Sequence, residues 1–545
     1  MKLLIIGLDG ASPELIKKWA LEGKLPYFKK LIGNGCFARL ESTIHPITGP
    51  AWTTFLTGKN PGKHGIYDWS SRKEGSYDIE LNYQRKKESY TFFHLLGEKG
   101  KRVGLLNVPS TFPPTKINGF IVSGFLTPDT DTEFTFPKPL RKELLEQFPD
   151  YFFSPKNKFE PDAKSAKGFL SEVNKMTEQR KQASLYLMDK KNMDVFMVTF
   201  MGLDHLQHYF WRFMDEKHPR YDPMLGKEFG DAILKLYQRI DGIVKELHEK
   251  AGSTTPLLMM SDHGMGRHEK AVYINNWLHK KGLLVLKKSF GASVKRAMHG
   301  IGFTPKNLFS LMLKLGLGRL IAVVPASKRK KMLEKTTLSF GDIDWSKTKA
   351  YSFGYFGRIF LNLKGREPQG IVEEKDYDKI RGEVIRELEK FKDPSTNKNV
   401  VDRIWKREEL FKGPYVNEAA DILFSMQDYA FNSSLHFAFG SNKIFDEHII
   451  SKSGDHRLHG LFIAAGKGIK KGKEIKAKIV DVAPTALHLL STAVPSNMDG
   501  KVLPIFVNKK AVKKQAAVGV KTNGEIFKDA EKEKIKKRLA DLGYL

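Results

Sequence analysis

The sequence predicts an α/β fold built on a doubly wound, mostly parallel central sheet that is flanked by helices. Two observations carry this prediction. Short unbroken apolar runs recur along the chain, as expected of strands that are buried on both faces. Amphipathic stretches at helical spacing lie between many of these runs. With 41% hydrophobic and 28% charged residues, the composition excludes a disordered or collagen-like chain.

The apolar runs predict the strands of a core that is divided into two parts. They are Leu3–Leu8, Val103–Val108, Phe120–Ser123, Val195–Phe200, Pro256–Ser261, Ile422–Met426 and Leu461–Ala465. Amphipathic helices are predicted at Leu140–Phe148 and Ala232–Lys250. We assign residues 1–265 to the first part of the core and residues 421–505 to the second part.

Residues 266–420 are predicted to form an α+β insertion beside the main sheet. They begin with a strand–helix unit at Val272–Leu286 and continue through an apolar-rich stretch at Leu308–Val324. The aromatic residues and glycines of Ala350–Leu363 then predict a β-hairpin. Residues 506–545 are assigned to a basic C-terminal tail that ends in a charged helix at Ala530–Leu542.

The net charge of +29 is concentrated in two segments. Residues 287–335 hold twelve Lys or Arg and one acid, and residues 508–545 hold eleven basic and five acidic residues. Clustered basic residues around an amphipathic helix fit an anionic membrane surface or nucleic-acid phosphates. A solvated lysine-rich face explains them equally simply. We prefer the solvated face, then the membrane surface, and nucleic acid last, because no nucleic-acid recognition motif is evident.

The single cysteine, Cys36, excludes an internal disulfide and is typical of a reducing compartment. Asp9 interrupts the N-terminal apolar run, and no small-residue cleavage site follows it. No stretch approaches the roughly 20 apolar residues of a membrane span. We therefore expect a cytoplasmic protein, peripheral to the inner face of the membrane if the basic insertion binds lipid.

Four clusters of aspartate and histidine side chains lie beside predicted strands: Asp9, Asp204 with His208, Asp262 with His263, and His456 with His459. Three of these clusters follow strands, and ligands of open α/β sheets bind beyond the carboxyl ends of strands. The spacing of four in the second cluster stacks both side chains on one helix face. Each cluster alone has an ordinary explanation as a helix cap, a turn or a surface pair. Together, these N and O donors suit zinc or manganese.

Thr48 precedes Gly-Pro, which favours a turn leading into a helix at Ala51. A hydroxyl at a helix N-terminus lies beside backbone N–H groups and the positive end of the helix dipole, which suits an anionic phosphoryl group. Taken alone, the residue is better explained as an N-cap threonine.

In chain order, these motifs resemble the alkaline phosphatase superfamily, in the branch of type I phosphodiesterases and nucleotide pyrophosphatases. The matching segments are Leu-Asp9-Gly, Thr48-x-Pro-Ala-Trp-x-x-Phe-x-Thr-Gly, Asp204-x-x-x-His208, Ser-Asp262-His263-Gly-Met and Gly-Asp-His456-Arg. The resemblance spans roughly residues 1–505. It is greatest to a subgroup described as predicted phosphohydrolases or phosphomutases, whose features also appear at 344–351, 361–368 and 407–415.

The resemblance implies an alkaline-phosphatase-like fold and a metal-dependent hydrolase of small-molecule phosphoric esters or diesters. Thr48 matches the nucleophile that becomes transiently phosphorylated. Two divalent metal ions are implied, with zinc preferred to manganese. The implied ligands are Asp9, Thr48, Asp262 and His263 for one ion, and Asp204, His208 and His456 for the other.

Some assignments stay open at this stage. His459 competes with His456 as the last ligand, and Asp455 and His268 are weaker candidates. Asn107 is a loose match to a residue that donates a hydrogen bond to a phosphate oxygen. A phosphomutase or phosphotransferase with the same site is the alternative enzyme. A protein that binds an anionic surface through its basic insertion is the alternative of another class.

Overall fold

The computed structural model describes residues 1–73, 75–81, 90–156, 159–314, 332, 335–433, 439–447, 452–508, 510–519 and 529–541. Its strands are β1 (Leu3–Leu8), β2 (Gly35–Glu41), β3 (Ser70–Arg72), β4 (Ile79–Leu81), β5 (Val103–Val108), β6 (Gly119–Ser123), β7 (Thr135–Phe136), β8 (Val195–Phe200), β9 (Leu257–Met260), β10 (Gly264–Arg267), β11 (Lys270–Val272), β12 (Ala350–Tyr351), β13 (Gly357–Leu361), β14 (Val401–Lys406), β15 (Ile422–Met426), β16 (Phe431–Ser433), β17 (Phe445–Asp446), β18 (Gly454–Arg457), β19 (His459–Ala465), β20 (Lys473–Glu474), β21 (Ala477–Lys478), β22 (Val494–Pro495) and β23 (Lys514–Gln515).

The α-helices in these ranges are α1 (Pro13–Leu21), α2 (Pro26–Gly33), α3 (Thr48–Thr57), α4 (Pro61–His64), α5 (Phe92–Glu98), α6 (Pro139–Gln147), α7 (Ala163–Lys190), α8 (Gly202–Met214), α9 (Pro223–Phe229), α10 (Ala232–Ala251), α11 (Ile274–Lys280), α12 (Phe290–Gly300), α13 (Pro305–Lys314), α14 (Tyr377–Glu389), α15 (Arg407–Leu410), α16 (Val482–Leu489) and α17 (Asp529–Asp541). None of the described helices combines the length and the apolarity needed to cross a membrane.

The large central sheet has the strand order β20-β2-β19-β9-β1-β8-β5-β6-β7, and β21 also pairs with β2. Strand β1 lies between β8 and β9 and is parallel to both. Strands β5 and β6 continue the parallel part. Strand β19 runs antiparallel to β9 and β2, and β7 runs antiparallel to β6. The predicted doubly wound, mostly parallel α/β sheet is confirmed.

The apolar runs form strands because helices cover both faces of this sheet. Along β1, Leu4 and Ile6 join an apolar cluster with residues of α7, α8 and α10. Leu3 and Ile5 point the opposite way into a second cluster with α3, α5 and α16. Successive side chains of a strand face opposite sides, so a strand between two helix layers is apolar at every position.

A second, four-stranded sheet has the order β12-β13-β15-β14. The hairpin predicted at Ala350–Leu363 is its antiparallel β12–β13 pair. Ile422–Met426 is a strand as predicted, but it pairs with β13 and β14, so its predicted place in the core sheet is wrong. An apolar run shows only that a strand is buried. We call the part of the protein around this second sheet the smaller unit, and its own apolar cluster buries β15 as completely as the core buries β1.

The boundaries predicted at 1–265, 266–420, 421–505 and 506–545 stay predictions. We propose that the smaller unit extends to β17, because β11 pairs with both β16 and β17. Of the predicted stretch Leu308–Val324, only the part in α13 lies within the described residues, and residues 315–331 of the basic segment 287–335 lie outside them. The C-terminal helix predicted at Ala530–Leu542 is confirmed as α17.

Candidate metal centre

The predicted clusters meet at one edge of the central sheet. Asp9 directly follows β1, and Asp204 lies in the first turn of α8, just beyond β8. Asp262 lies two residues beyond the end of β9. Because β8, β1 and β9 are parallel neighbours, their carboxyl ends lie side by side. His456 comes from β18, which pairs with β10 so that Met265 lies opposite it.

Asp204, His208 and His456 form the first group of donors. Oδ1 of Asp204 lies 3.2 Å from Nε2 of His208 and 3.4 Å from Nε2 of His456. The two histidine Nε2 atoms are 3.1 Å apart. All three side chains are buried. The helical spacing of four therefore places Asp204 and His208 on one face of α8, as predicted.

The second group is centred on His263. Its Nε2 lies 3.2 Å from Oγ1 of Thr48, 3.2 Å from Oδ2 of Asp262 and 3.6 Å from Oδ1 of Asp9. Thr48 is the first residue of α3, so the helix begins three residues earlier than the sequence predicts. These four side chains are also buried.

The two groups are contiguous. Asp204 belongs to both of two donor sets. One set also contains His208 and His456, and the other also contains Asp9 and His263. Within each set, the donor atoms lie within 4.8 Å of one another. The rings of His263 and His456 stack with their centroids 3.6 Å apart. The arrangement is one continuous cluster with two overlapping donor sets.

Backbone carbonyls orient all three imidazoles. Nδ1 of His208 lies 2.8 Å from the carbonyl oxygen of Gly454, and Nδ1 of His456 lies 2.7 Å from that of Pro46. Nδ1 of His263 lies 3.1 Å from the carbonyl oxygen of Gly264. A ring nitrogen that faces a carbonyl oxygen carries the proton, so in the neutral ring Nε2 keeps its lone pair. Every Nε2 of the cluster is therefore aimed at the centre as a donor of electrons.

Burial keeps the rings of His263 and His208 neutral. It lowers the pKa of His263 well below its ordinary value, and the nearby His456 lowers it further. Burial and the positive charge of Lys452 likewise lower the pKa of His208. Neutral imidazole is the form that binds a metal ion.

The carboxyl groups of the cluster shift one another's pKa. Burial raises the pKa of Asp9 well above its ordinary value, and the carboxylates of Asp262 and Asp204 add to this effect. Burial and Asp204 raise the pKa of Asp262 in the same way. Burial alone would raise the pKa of Asp204, but His208 and His456 outweigh it and lower that pKa. The protein thus places three carboxyl groups together where water is excluded, which disfavours the ionised form of Asp9 and Asp262.

The donors fit divalent metal ions. Oδ1 of Asp9 and Oδ2 of Asp262 are buried and accept no hydrogen bond from any residue in the described ranges. Lone pairs of His208 and His456 face each other at 3.1 Å, which is favourable only with a cation or a proton between them. An unpaired buried charge is costly, and oxygen and imidazole donors together are the ligand chemistry of zinc and manganese.

Other residues support the donor sets through hydrogen bonds that the sequence does not predict. Nε1 of Trp52 donates a hydrogen bond of 2.8 Å to Oδ2 of Asp9. Oδ1 of Asp455 accepts the backbone N–H of His456 at 2.8 Å. The other oxygen of Asp455 accepts hydrogen bonds from Tyr355 and Asn432. These partners come from distant parts of the chain, so only the folded structure reveals them.

The remaining candidates lie apart from the donor sets. His459 opens β19 opposite Glu41 and is half-buried, so the structure brings His456 and not His459 to the cluster. His268 lies beside Asp455, with its Nδ1 3.9 Å from Oδ2 of that side chain. The amide of Asn107 donates a hydrogen bond of 3.0 Å to the backbone of Ser123, and its role at a phosphate stays a prediction.

Solved structures of other proteins are similar to this chain. Human ectonucleotide pyrophosphatase / phosphodiesterase 5 is 11% identical with a TM-score of 0.48, over 92% of this chain and 100% of that chain. Phosphonoacetate hydrolase from Sinorhizobium meliloti 1021, in complex with phosphonoacetate, is 14% identical with a TM-score of 0.50, over 90% of this chain and 95% of that chain. No curated protein matches the chain significantly in sequence.

The sequence profile described as type I phosphodiesterase / nucleotide pyrophosphatase matches residues 3–434, which is most of the chain. This match confirms the resemblance to the alkaline phosphatase superfamily and the expected class of enzyme, a hydrolase of phosphoric esters. The chain belongs to the type I phosphodiesterase / nucleotide pyrophosphatase family.

Proposed function

We propose that this enzyme hydrolyses a phosphoric diester or pyrophosphate bond of a small molecule, with Thr48 as the nucleophile. The observation that carries the proposal is the position of the Thr48 hydroxyl. It is the first residue of a helix and is buried, and its Oγ1 lies 3.2 Å from Nε2 of His263 inside the donor cluster. A role as a helix cap would not explain why the Thr48 hydroxyl faces acidic and histidine side chains.

The start of α3 suits an anionic group. Ile47 precedes Thr48 and supplies no side-chain cap to the helix. The backbone N–H groups of Thr48 and Gly49 and the positive end of the helix dipole lie beside the nucleophile. These features support binding of a phosphoryl oxygen next to Thr48.

We propose that two divalent ions bind here, zinc in preference to manganese. Asp9, Thr48, Asp262 and His263 would hold the first, and Asp204, His208 and His456 would hold the second. When bound, such ions lower the pKa of a hydroxyl ligand and neutralise charge on the phosphoryl group. The chain's own contribution is the fixed orientation of these donors, which their backbone partners secure.

The reaction divides into two displacements at phosphorus. In the first, Oγ of Thr48 gives up its proton and forms a bond to phosphorus, while the bond to the leaving oxygen breaks and the leaving alcohol takes up a proton. In the second, water forms the new bond to phosphorus and the bond to Oγ breaks, which restores the threonine hydroxyl. Burial of Thr48 keeps bulk water away from the nucleophile between the two displacements.

The proposal is tested with an aryl phosphate diester and the matching monoester, in the presence of zinc. Thr48→Ala should abolish turnover of either substrate and retain metal content measured by atomic absorption, because the threonine is one of several ligands. Asp262→Asn should lose both metal and activity. Thr57→Ala, on the same helix and far from the cluster, is the matched control and should keep both. Near-normal turnover in Thr48→Ala would contradict the assignment of the nucleophile.

Transfer of the phosphoryl group to a second alcohol is the alternative reaction at the same residues. One observation favours it: Phe356, from the smaller unit, packs against the ring of His456 and helps to enclose the cluster. Enclosure that excludes water favours an alcohol acceptor over hydrolysis. Product analysis with a phosphate diester and a free sugar as acceptor distinguishes the two reactions, since transfer forms a new phosphate ester of the sugar and hydrolysis does not.

A further inference from the structure

Helix α12 presents an apolar stripe to solvent. Phe290, its first residue, and Ile301, which directly follows it, are each 87% exposed. Val294 and Ala297 are also exposed. These four positions follow the i, i+4, i+7, i+11 spacing, so they lie along one face of the helix. A surface helix ordinarily turns such a face toward the protein core.

The polar side of α12 faces the body of the protein. Nζ of Lys295 lies 3.1 Å from Oδ2 of Asp342, and Nε2 of His299 lies 2.9 Å from the carbonyl oxygen of Ser441. His299 is buried. Two polar contacts on this side therefore hold the helix with its apolar stripe pointing outward.

The surroundings of the stripe are positively charged. Residues 287–314 contain six Lys or Arg and no acidic residue. Lys287 and Lys288, just before the helix, are exposed, and so is Arg296 on its flank. Leu311, on the next helix, adds a further exposed apolar side chain. We call Lys287, Lys288, Phe290, Val294, Arg296 and Ile301 the α12 surface.

We propose that the α12 surface docks this enzyme on an anionic lipid bilayer. An apolar stripe bordered by lysine and arginine matches a bilayer interface, where the apolar side chains enter the acyl boundary and the cations meet anionic headgroups. A second copy of the chain is a poor occupant, because a symmetric contact would bring the same cations together. A nucleic acid would use the cations and leave the apolar stripe without a partner.

The test is sedimentation of the full-length protein with vesicles of phosphatidylcholine alone and of phosphatidylcholine mixed equally with phosphatidylglycerol. The protein should sediment with the anionic vesicles and stay in solution with the neutral ones. Replacing Phe290 and Ile301 together by Asp should lower the partition coefficient by at least about tenfold, because two buried apolar side chains are lost. In Phe290→Trp, the indole emission should shift to the blue when anionic vesicles are added.

Met224→Asp and Leu21→Asp are the matched controls, since these side chains are 82% and 74% exposed outside the α12 surface. Both should bind vesicles like the unmodified protein, and circular dichroism should show that every variant folds. The proposal is overturned if the unmodified protein does not sediment with anionic vesicles, or if the double variant binds them equally well. It is also overturned if sedimentation velocity shows a dimer that the double variant breaks.

Discussion

Replacing Trp52 with phenylalanine should weaken metal binding while the fold is retained. The indole is fully buried beneath β1, where Gly7 leaves it room, since a Cβ on Gly7 would lie 2.5 Å from the ring. Its Nε1 donates a 2.8 Å hydrogen bond to Oδ2 of Asp9. Phenylalanine keeps an aromatic ring against Phe55, whose centroid is 5.6 Å away, and removes only the donor and part of the ring.

The magnitude follows from the charge on Asp9. A hydrogen bond to an ionised group contributes about 1.5–3 kcal/mol, and its loss leaves a buried carboxylate oxygen without its donor. Removing such a partner of a metal ligand lowers metal affinity by about 10- to 100-fold. In the metal-free protein the raised pKa of Asp9 favours the neutral carboxyl, for which the same bond contributes about 0.5–1.5 kcal/mol. The loss should therefore be larger in the metal-loaded enzyme.

The assay is activity as a function of buffered free zinc, together with urea unfolding with and without a chelator. Trp277→Phe is the control for ring size, because Trp277 is buried against Phe391 in the smaller unit. It should lower stability without moving the zinc midpoint. The reasoning is refuted if Trp52→Phe leaves the zinc midpoint unchanged, or if its stability loss is the same with and without metal.

Three further outcomes are expected. Burial and neighbouring carboxylates raise the pKa of Asp9 and Asp262, so these two groups bind more protons in the folded metal-free protein than in the unfolded chain above the ordinary aspartate pKa of about 4. Their contribution to the free energy of unfolding, from urea titrations with chelator, should fall as pH rises above that value, by up to about 1.4 kcal/mol per pH unit for each group. His208 and His263, whose pKa values are lowered, contribute the opposite slope below about pH 6.5, so the aspartate contribution is taken as the difference from Asp262→Asn at each pH. His456→Ala should lower metal affinity by at least about 100-fold in a zinc titration, whereas His459→Ala should leave it within about twofold. Gly354→Ala should destabilise the protein by about 1–3 kcal/mol in urea, because φ is +91° and the new Cβ would meet a fixed carboxylate.

Each of these outcomes has its own control. Asp262→Asn removes one of the titrating groups, and an equally steep pH dependence in that variant would contradict the first expectation. Equal effects of the two histidine variants would contradict the second. Gly365→Ala has a similar φ of +83° and nothing within 4 Å, whereas the Cβ in Gly354→Ala would lie 2.6 Å from Asp68. A loss as large at Gly365 would show that backbone strain alone accounts for the third.

The sequence predicts those parts of the fold that depend on local burial. The runs at β1, β5 and β8 are predicted with their observed bounds because helices cover both of their faces. Strand β2 is not predicted, since Arg39 and the polar ends of Gly35–Glu41 break its apolar run. Strand β15 is predicted but placed in the wrong sheet, because an apolar run carries no information about its pairing partner.

In the candidate site, too, some residues could be predicted from the sequence and some contacts could not. Asp9, Asp204 and Asp262 could be predicted because parallel strands align their carboxyl ends. His456 was distinguished from His459 only by the family resemblance, since its position depends on the pairing of β18 with β10. The hydrogen bond from Trp52 to Asp9 joins residues whose contact depends on the packing of α3 against β1, which no local pattern records. The cytoplasmic location and the identity of the metal stay predictions.

The order of strands in the central sheet has a consequence for synthesis on the ribosome. Strand β2 does not pair with β1, although β1 precedes it closely in the chain; its partners are β19, β20 and β21, and the first of these begins at His459. Until that segment emerges, β2 and one edge of β9 have no strand to pair with, and such edges promote aggregation. His456 is translated just before β19, so the strand that closes the sheet and the last predicted ligand arrive together. A nascent chain therefore gains its protected sheet and the last of its predicted metal ligands in a single late step.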